Sequence, residues 1–97
     1  MARCPVDLLR DIADVLAEVR RWDGIVERSP GVFYLRRDPF LHFHLVEGGL
    51  RRADVKGLAG WHPVELPLPL PEARRRAFTR ELRARYGEKT SARSKRR

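Results

Sequence analysis

Apolar residues recur at intervals of three and four positions over residues 5–22, which predicts a helix with one apolar face. Pro5 and Asp7 suit its first turn, because proline presets a helical φ and a carboxylate is favourable at the positive end of the helix dipole. Gly24 is a typical stop signal. The predicted apolar face consists of Leu8, Ile12, Val15, Leu16, Val19 and Trp22.

The opposite face of this helix is an acidic stripe, which consists of Asp7, Asp11, Asp14 and Glu18. A stripe of this kind either faces water or receives cations from another element. The arginines of the last helix are suitable partners, within the chain or between two copies of it.

From residue 32 the period changes to alternation, which predicts β-strands. The three predicted strands are residues 32–35, 40–45 and 51–56, with turns at residues 36–39 and 47–49. Residues 25–28 are predicted to form a short extended piece, and residues 61–66 a fourth strand. Pro63 confines that strand to an edge of the sheet, or else lies near the strand's start, because proline has no backbone N–H to donate.

Pro67, Pro69 and Pro71 alternate with leucines, so this stretch is predicted to be an extended connector rather than helix interior. Pro71 then opens a last helix with a narrow apolar face, which we expect to stop at Gly87. Residues 88–97 lack apolar periodicity and are rich in Ser, Lys and Arg, which predicts disorder.

These elements together predict an α+β fold. An antiparallel sheet of three or four strands is packed by an N-terminal and a C-terminal helix. The chain has 97 residues, enough for one modest core. We therefore expect a single domain over residues 1–87, followed by a basic disordered tail over residues 88–97.

The setting of the protein is predicted from its cysteine content and its apolar runs. Cys4 is the single cysteine and cannot form an internal disulfide, which favours a reducing, cytoplasmic setting. No apolar run approaches the roughly 18 residues of a membrane span, so we expect no membrane partner. Acidic residues interrupt the first leucines, which argues against a secretory signal.

The register of the strands follows from keeping apolar side chains on one face. The four-residue first turn pairs Leu35 with Phe40. The three-residue second turn pairs His42 with Asp54, and the flanking pairs are His44–Arg52, Leu41–Val55 and Phe43–Ala53. The predicted core face consists of Val32, Tyr34, Leu41, Phe43, Leu45, Ala53 and Val55. The predicted opposite face consists of Phe33, Leu35, Phe40, His42, His44, Arg52, Asp54 and Lys56.

This opposite face carries a candidate metal site. His42 and His44 are two residues apart on one strand, so both imidazoles lie on the same side of the sheet. Imidazole is a preferred ligand of several transition metals. His62 or Asp54 would complete the set of three or four protein ligands that is usual for zinc.

A catalytic reading of the same face assigns His42 and Asp54 to an acid–base dyad, in which Asp54 orients the ring of His42 and raises its pKa. His44, Arg52 and Lys56 would then hold a small anionic ligand. No nucleophile motif, glycine-rich phosphate loop or pair of carboxylates accompanies this dyad. Their absence favours a binding module over an enzyme, although the sequence leaves a catalytic site on this face open, and we expect no cofactor.

A third reading makes this face a surface for protein interaction. A small sheet with apolar residues on both faces often needs a partner to cover the second face. The sequence predicts apolar residues there, including Phe40. The expected partner in this case is a second copy of the chain, in a homodimer.

Charge points to a fourth surface. The formal net charge is +8, and the excess lies in residues 72–97, which contain eleven Lys and Arg against three acidic residues. Such an asymmetry predicts a polyanionic partner, nucleic acid above all. The candidate polyanion-binding residues are Arg74, Arg75, Arg76, Arg80, Arg83, Arg93, Lys95, Arg96 and Arg97. An intracellular binding module that contacts a polyanion is the function that the sequence favours.

Three runs carry a resemblance to known proteins: GVFY at residues 31–34, PFLHFH at residues 39–44 and ADVK at residues 53–56. They resemble a set of small bacterial proteins of unknown function, in which a helix, short strands and a closing helix follow in this order. More distantly, the chain resembles luciferase-like and YjbR-like small α/β domains. The resemblance covers residues 8–86, implies the fold, and assigns no catalytic residue.

Overall fold

The computed structural model of the protein describes residues 2–95, and the side chains of residues 3–91. The strands are β1 (Ala2–Arg3), β2 (Ile25–Ser29), β3 (Val32–Leu35), β4 (Asp38–Leu45), β5 (Arg51–Gly57) and β6 (Gly60–Leu66). The helices are α1 (Ala13–Arg20) and α2 (Glu72–Lys95), with 3₁₀ turns at Val6–Ile12 and Glu47–Gly49.

The sheet is antiparallel, and its five main strands lie in sequence order from β2 to β6. The two-residue β1 pairs with the end of β4. The α+β class and the two helices are confirmed. The strand count was predicted too low, because the extended piece at residues 25–28 joins the sheet as β2 and residues 2–3 add a short strand.

The predicted N-terminal helix consists of two segments, since Val6–Ile12 is a 3₁₀ turn and only Ala13–Arg20 is α-helical. Its apolar face is confirmed, although Leu8 and Trp22 are only partly buried. Buried residues from these two segments are Leu9, Ile12, Val15, Leu16 and Val19. They pack against the same face of the sheet as Phe78 and Leu82 of α2.

The first hairpin differs from the prediction. Its turn has two residues rather than four, so Leu35 pairs with Asp38 instead of Phe40, and Arg36 takes a left-handed conformation with φ of 58°. Tyr34 then pairs with Pro39 and Phe33 with Leu41, which leaves Phe40 as the extra residue of a β-bulge.

This bulge reverses the predicted faces at the start of the hairpin. Phe33, Leu35 and Phe40 are buried in the core, whereas the sequence predicted them on the opposite face. Tyr34 and Val32, predicted to be core residues, are only half-buried. The face of the sheet opposite the helices is therefore less apolar than the sequence predicted, and it offers less apolar surface for a homodimer than expected.

The second hairpin is confirmed. Beyond the turn at Glu47–Gly49, His42 pairs with Asp54 and His44 with Arg52. Gly48 and Gly49 have φ of 80° and 76°, a left-handed conformation that glycine adopts without steric cost. The turn therefore fixes the register in which the histidines of β4 face the polar residues of β5.

The C-terminal helix is longer than predicted. α2 continues through Gly87 to Lys95, so the predicted disordered tail is helical over residues 88–95. A glycine inside a helix costs only about 1 kcal/mol relative to alanine, which neighbouring contacts offset. Lys89 contacts Asp38, and the Thr90 hydroxyl donates to the carbonyl of Tyr86. Despite this length, no described helix is apolar enough to cross a membrane.

Both outer strands of the sheet are interrupted. Pro63 lies in the middle of β6, where it pairs with Asp54, so the prediction of an edge strand is confirmed. At the other edge, Arg28 is the extra residue of a bulge, since Glu27 pairs with Phe33 and Ser29 with Val32.

Arg51 is fully buried at the start of β5. Its Nε donates to the carbonyl of Leu66 at 3.0 Å, and its Nη2 to the carbonyl of Pro67 at 3.1 Å. Nη1 donates to the carbonyl of Leu8 at 2.6 Å. The Asp11 carboxylate accepts from Nη1 and Nη2 at 2.7 and 2.9 Å. All five guanidinium donors are thus satisfied, and the N-terminal segment, β5 and the end of β6 are joined.

We predict that Asp11→Ala lowers the free energy of unfolding by about 3 kcal/mol, because it leaves the buried Arg51 charge without its partner. Urea unfolding followed by circular dichroism measures this. The matched control is Asp7→Ala, whose ion pair with Arg10 is exposed and long at 3.6 Å. It should change stability by less than about 0.5 kcal/mol. Equal effects of the two substitutions would contradict the prediction.

Candidate functional site

The two faces of the sheet have different roles. The Phe43 ring lies 6.2 Å from the Phe78 ring of α2, and the guanidinium of Arg20 in α1 lies 5.9 Å from the Phe33 ring centroid. Both helices therefore pack on the face that carries these phenylalanines. Because side chains alternate along a strand, His42 and its neighbours in register lie on the opposite face, which we call the open face. Its polar centre consists of His42, His44, Arg52 and Asp54.

Asp54 is held by two neighbours on the open face. Its Oδ2 lies 3.2 Å from His44 Nε2 and accepts a hydrogen bond from Arg52 Nη2 at 3.1 Å. Its Oδ1 lies 3.1 Å from Arg52 Nε. The carboxylate therefore contacts the diagonal histidine rather than His42, its partner in register. The direct contact by which Asp54 was predicted to orient His42 is therefore made to His44 instead.

His42 is packed between two aromatic rings. Its ring centroid lies 4.6 Å from that of His44 and 4.6 Å from that of Trp61, both edge-on. Burial lowers the pKa of His42 below its ordinary value, and the neighbouring His44 lowers it further. The predicted rise in pKa is therefore wrong, and the imidazole is neutral at pH 7 with a nitrogen lone pair available.

The cluster contains three residues with metal-ligating atoms. One such atom from each of His42, His44 and Asp54 lies within 4.8 Å of the others. His62, predicted as a further ligand, pairs with Val55 and lies on the helix-facing side of β6. It does not join the cluster.

The cations predicted to hold a small anion are engaged within the chain. Arg52 contacts Asp54, and Lys56 Nζ lies 2.9 Å from Asp38 Oδ1. Lys89 of α2 also contacts Asp38. The hydrogen bond from Lys89 lowers the pKa of Asp38, and Lys56 lowers it further, although partial burial opposes both.

Two further aromatic residues, Trp61 and Tyr34, lie on the open face, and Tyr34 was predicted to be a core residue. Trp61 is 42 % exposed, with Lys56 Nζ 5.7 Å from its ring centroid, and Tyr34 lies beneath the Arg28 guanidinium at 4.4 Å. A signal for Trp61 was present in the sequence. Alternation along residues 61–66 puts Trp61 and Val64 on opposite faces, so a buried Val64 requires an outward Trp61.

The predicted polyanion-binding arginines of α2 fall into two groups. The first group faces α1, where Arg75 contacts Asp14 and Arg83 Nε lies 2.7 Å from Glu18 Oε2. The acidic stripe therefore receives arginines within the chain, one of the two outcomes left open by the sequence. Arg74 donates to the carbonyl of Glu65 at 3.1 Å.

The second group faces outward. Arg76 and Arg80 are exposed, and neither has an ion pair or side-chain hydrogen bond within the described part of the chain. Their spacing of four residues puts both on one side of the helix. Arg93 and Lys95 lie in the last turns of α2, outside the described side chains, and Arg96 and Arg97 lie outside the described residues.

We predict that Asp38→Asn lowers stability at pH 7 by up to about 1 kcal/mol, as expected for partly exposed ion pairs. A lowered native pKa means that the unfolded state binds the proton more readily, so the stabilisation is present above the ordinary value of 3.8. It is lost as the pH falls through the native pKa. Urea unfolding of both proteins at pH 7 and near pH 3 tests this.

In that experiment, the deficit of Asp38→Asn should be smaller at the lower pH. Asp7→Asn removes an exposed carboxylate with one long ion pair and serves as the control. A deficit that persists unchanged at low pH would show that the substitution acts through something other than the charge of Asp38.

Comparison with family models, with curated proteins and with solved structures gave no match to this chain. The resemblance carried by the GVFY and PFLHFH runs therefore stays a prediction. Two surfaces of the chain itself bear on its function: the outward side of α2 and the polar centre of the open face.

Proposed function

We propose that the protein binds a polyanion, nucleic acid being the probe of choice, through the outward side of α2 and the basic residues that end the chain. The single observation that carries the proposal is the division of the α2 arginines into paired and unpaired groups. Arg76 and Arg80 stay exposed and unpaired within the described part of the chain, on a helix that carries most of the excess of positive charge.

Internal neutralisation explains why α2 can carry so many arginines. Asp14 and Glu18 of the acidic stripe neutralise Arg75 and Arg83, and Arg83 lies one turn from the like charge of Arg80. Like charges three or four residues apart in a helix are destabilising by a few tenths of a kcal/mol per pair. Phe78 and Leu82 hold α2 on the domain, and the carboxylates neutralise its inward arginines, which leaves the outward arginines to a partner.

Binding of this kind is electrostatic and carries little sequence specificity. Arginine contacts to phosphate release condensed counterions, so affinity falls steeply with salt. Phosphate contacts also position a protein without reading bases. The outward side of α2 presents two aligned cations, Arg76 and Arg80, spaced four residues apart. We therefore expect similar affinity for different sequences of one nucleic-acid type.

The test is binding of the full chain to duplex DNA and to single-stranded RNA over a series of salt concentrations. The logarithm of affinity for duplex DNA should fall linearly, by about 0.9 per phosphate neutralised. Arg76→Ala with Arg80→Ala should reduce that slope by about 2, one for each lost phosphate contact. Substitution of Arg93, Lys95, Arg96 and Arg97 by serine should reduce it further.

The matched control is Arg75→Ala with Arg83→Ala, which removes the same formal charge from the inward side of α2. We expect this pair to lower stability and to leave the salt slope nearly unchanged. Equal slopes for the two double variants would contradict a specific role for the outward side. Absence of binding near physiological salt would overturn the proposal for these nucleic acids.

A further inference from the structure

We propose that His42, His44 and Asp54 form a binding site for a divalent transition-metal ion on the open face of the sheet. The ligating atoms of these residues lie within 4.8 Å of one another. Two imidazoles and a carboxylate are a donor set that suits zinc, cobalt, nickel or iron(II) rather than magnesium or calcium. This site is separate from the outward side of α2 and does not depend on polyanion binding.

The sheet preorganises these side chains. His42 and His44 alternate on β4 and therefore share a face, and Asp54 is the register partner of His42 on β5. His42 and His44 lie in a strand with a paired neighbour on each side, since β3 or β1 pairs with one edge of β4 and β5 with the other. Small side-chain rotations, rather than backbone movement, bring the donor atoms to the roughly 2.0–2.2 Å that a zinc ion requires.

The hydrogen bonding of His44 is incomplete. Its Nδ1 is buried and has no hydrogen-bond partner among the described residues. A bound metal ion would give this nitrogen a partner. Its Nε2 lies 3.2 Å from Asp54 Oδ2, so the carboxylate also orients the ring. Groups that orient the ring of a ligating histidine are usual around metal sites.

His42 supplies the second nitrogen ligand. Its ring lies next to that of His44, with 4.6 Å between the centroids, and it is half-buried rather than sealed from solvent. An ion can therefore reach the cluster from the open face, and water can fill its remaining coordination positions. Trp61 packs against His42 and shields one side of this position.

Arg52 opposes metal binding and so provides a directional test. Its guanidinium contacts both oxygens of Asp54 and places a positive charge beside the site. Arg52→Gln removes that charge and keeps a side chain that can donate to the carboxylate. Because like charges repel, this substitution should tighten metal binding several-fold. General damage to the sheet would instead weaken it.

The experiment is titration of metal-stripped, full-length protein with Zn²⁺ in a calorimeter and with Co²⁺ followed by visible absorption. We expect one equivalent of either ion to bind. His42→Ala, His44→Ala and Asp54→Asn should each weaken binding by at least about tenfold, because each removes or neutralises a proposed ligand.

His62→Ala is the matched control. His62 also has a buried ring nitrogen without a hydrogen-bond partner, but it belongs to no cluster of three ligating residues within the described chain. Its substitution should leave metal affinity unchanged. Circular dichroism checks that each variant is folded. If His44→Ala unfolds, the test depends on His42→Ala, because His42 is only half-buried and its substitution should disturb the fold less.

Three results would overturn the proposal: no stoichiometric binding of either ion, an equal loss in His62→Ala and His42→Ala, or unchanged or weaker binding in Arg52→Gln. Nucleic acid is absent from these titrations. Their failure is therefore distinguishable from failure of polyanion binding, which is measured without added metal.

Discussion

The buried guanidinium of Arg51 is the interaction on which the rest of the structure depends. Taking a charge out of water costs several kcal/mol, so an interior arginine is tolerated only when its partners are complete. Here Asp11 supplies the counter-charge, and carbonyls at Leu8, Leu66 and Pro67 satisfy the other donors. These groups belong to the N-terminal 3₁₀ turn, the end of β6 and the connector that leads to α2. The Arg51 side chain therefore fixes the N-terminal 3₁₀ turn and the connector that leads to α2 in position relative to the sheet.

The open face owes its chemistry to the bulge at Phe40. Without the extra residue, strict alternation would put Phe40 on the same side as His42 and His44. The bulge instead turns Phe40 inward, where its ring packs edge-on against Tyr86 of α2 at 6.3 Å. The histidines keep their register with β5, and their surroundings become polar. Core packing and the composition of the candidate metal site are thus linked through one backbone irregularity.

Sequence patterns predicted the strand register correctly wherever a single arrangement keeps the core apolar. Leu41 opposite Val55 and Phe43 opposite Ala53 determine the β4–β5 register, and the histidines follow from it. The β3–β4 turn was not predictable in this way, since either face of residues 32–35 can be buried. The pairing of Asp54 with His44 depends on side-chain rotation, which alternation does not specify. Similarly, Gly87 is a stop signal by propensity, but the contact of Lys89 with Asp38 is a tertiary interaction that no local pattern reports.

The interruptions at the two outer strands have a consequence for how copies of this chain behave together. A regular edge strand presents free N–H and C=O groups that another molecule can pair with, which is the first step of aggregation. Pro63 removes a donor from β6, and the bulge at Arg28 breaks the spacing of β2. Neither edge offers a continuous ladder for an incoming strand. Another copy therefore cannot readily extend the sheet by regular strand pairing, and contacts between copies would be made by side chains.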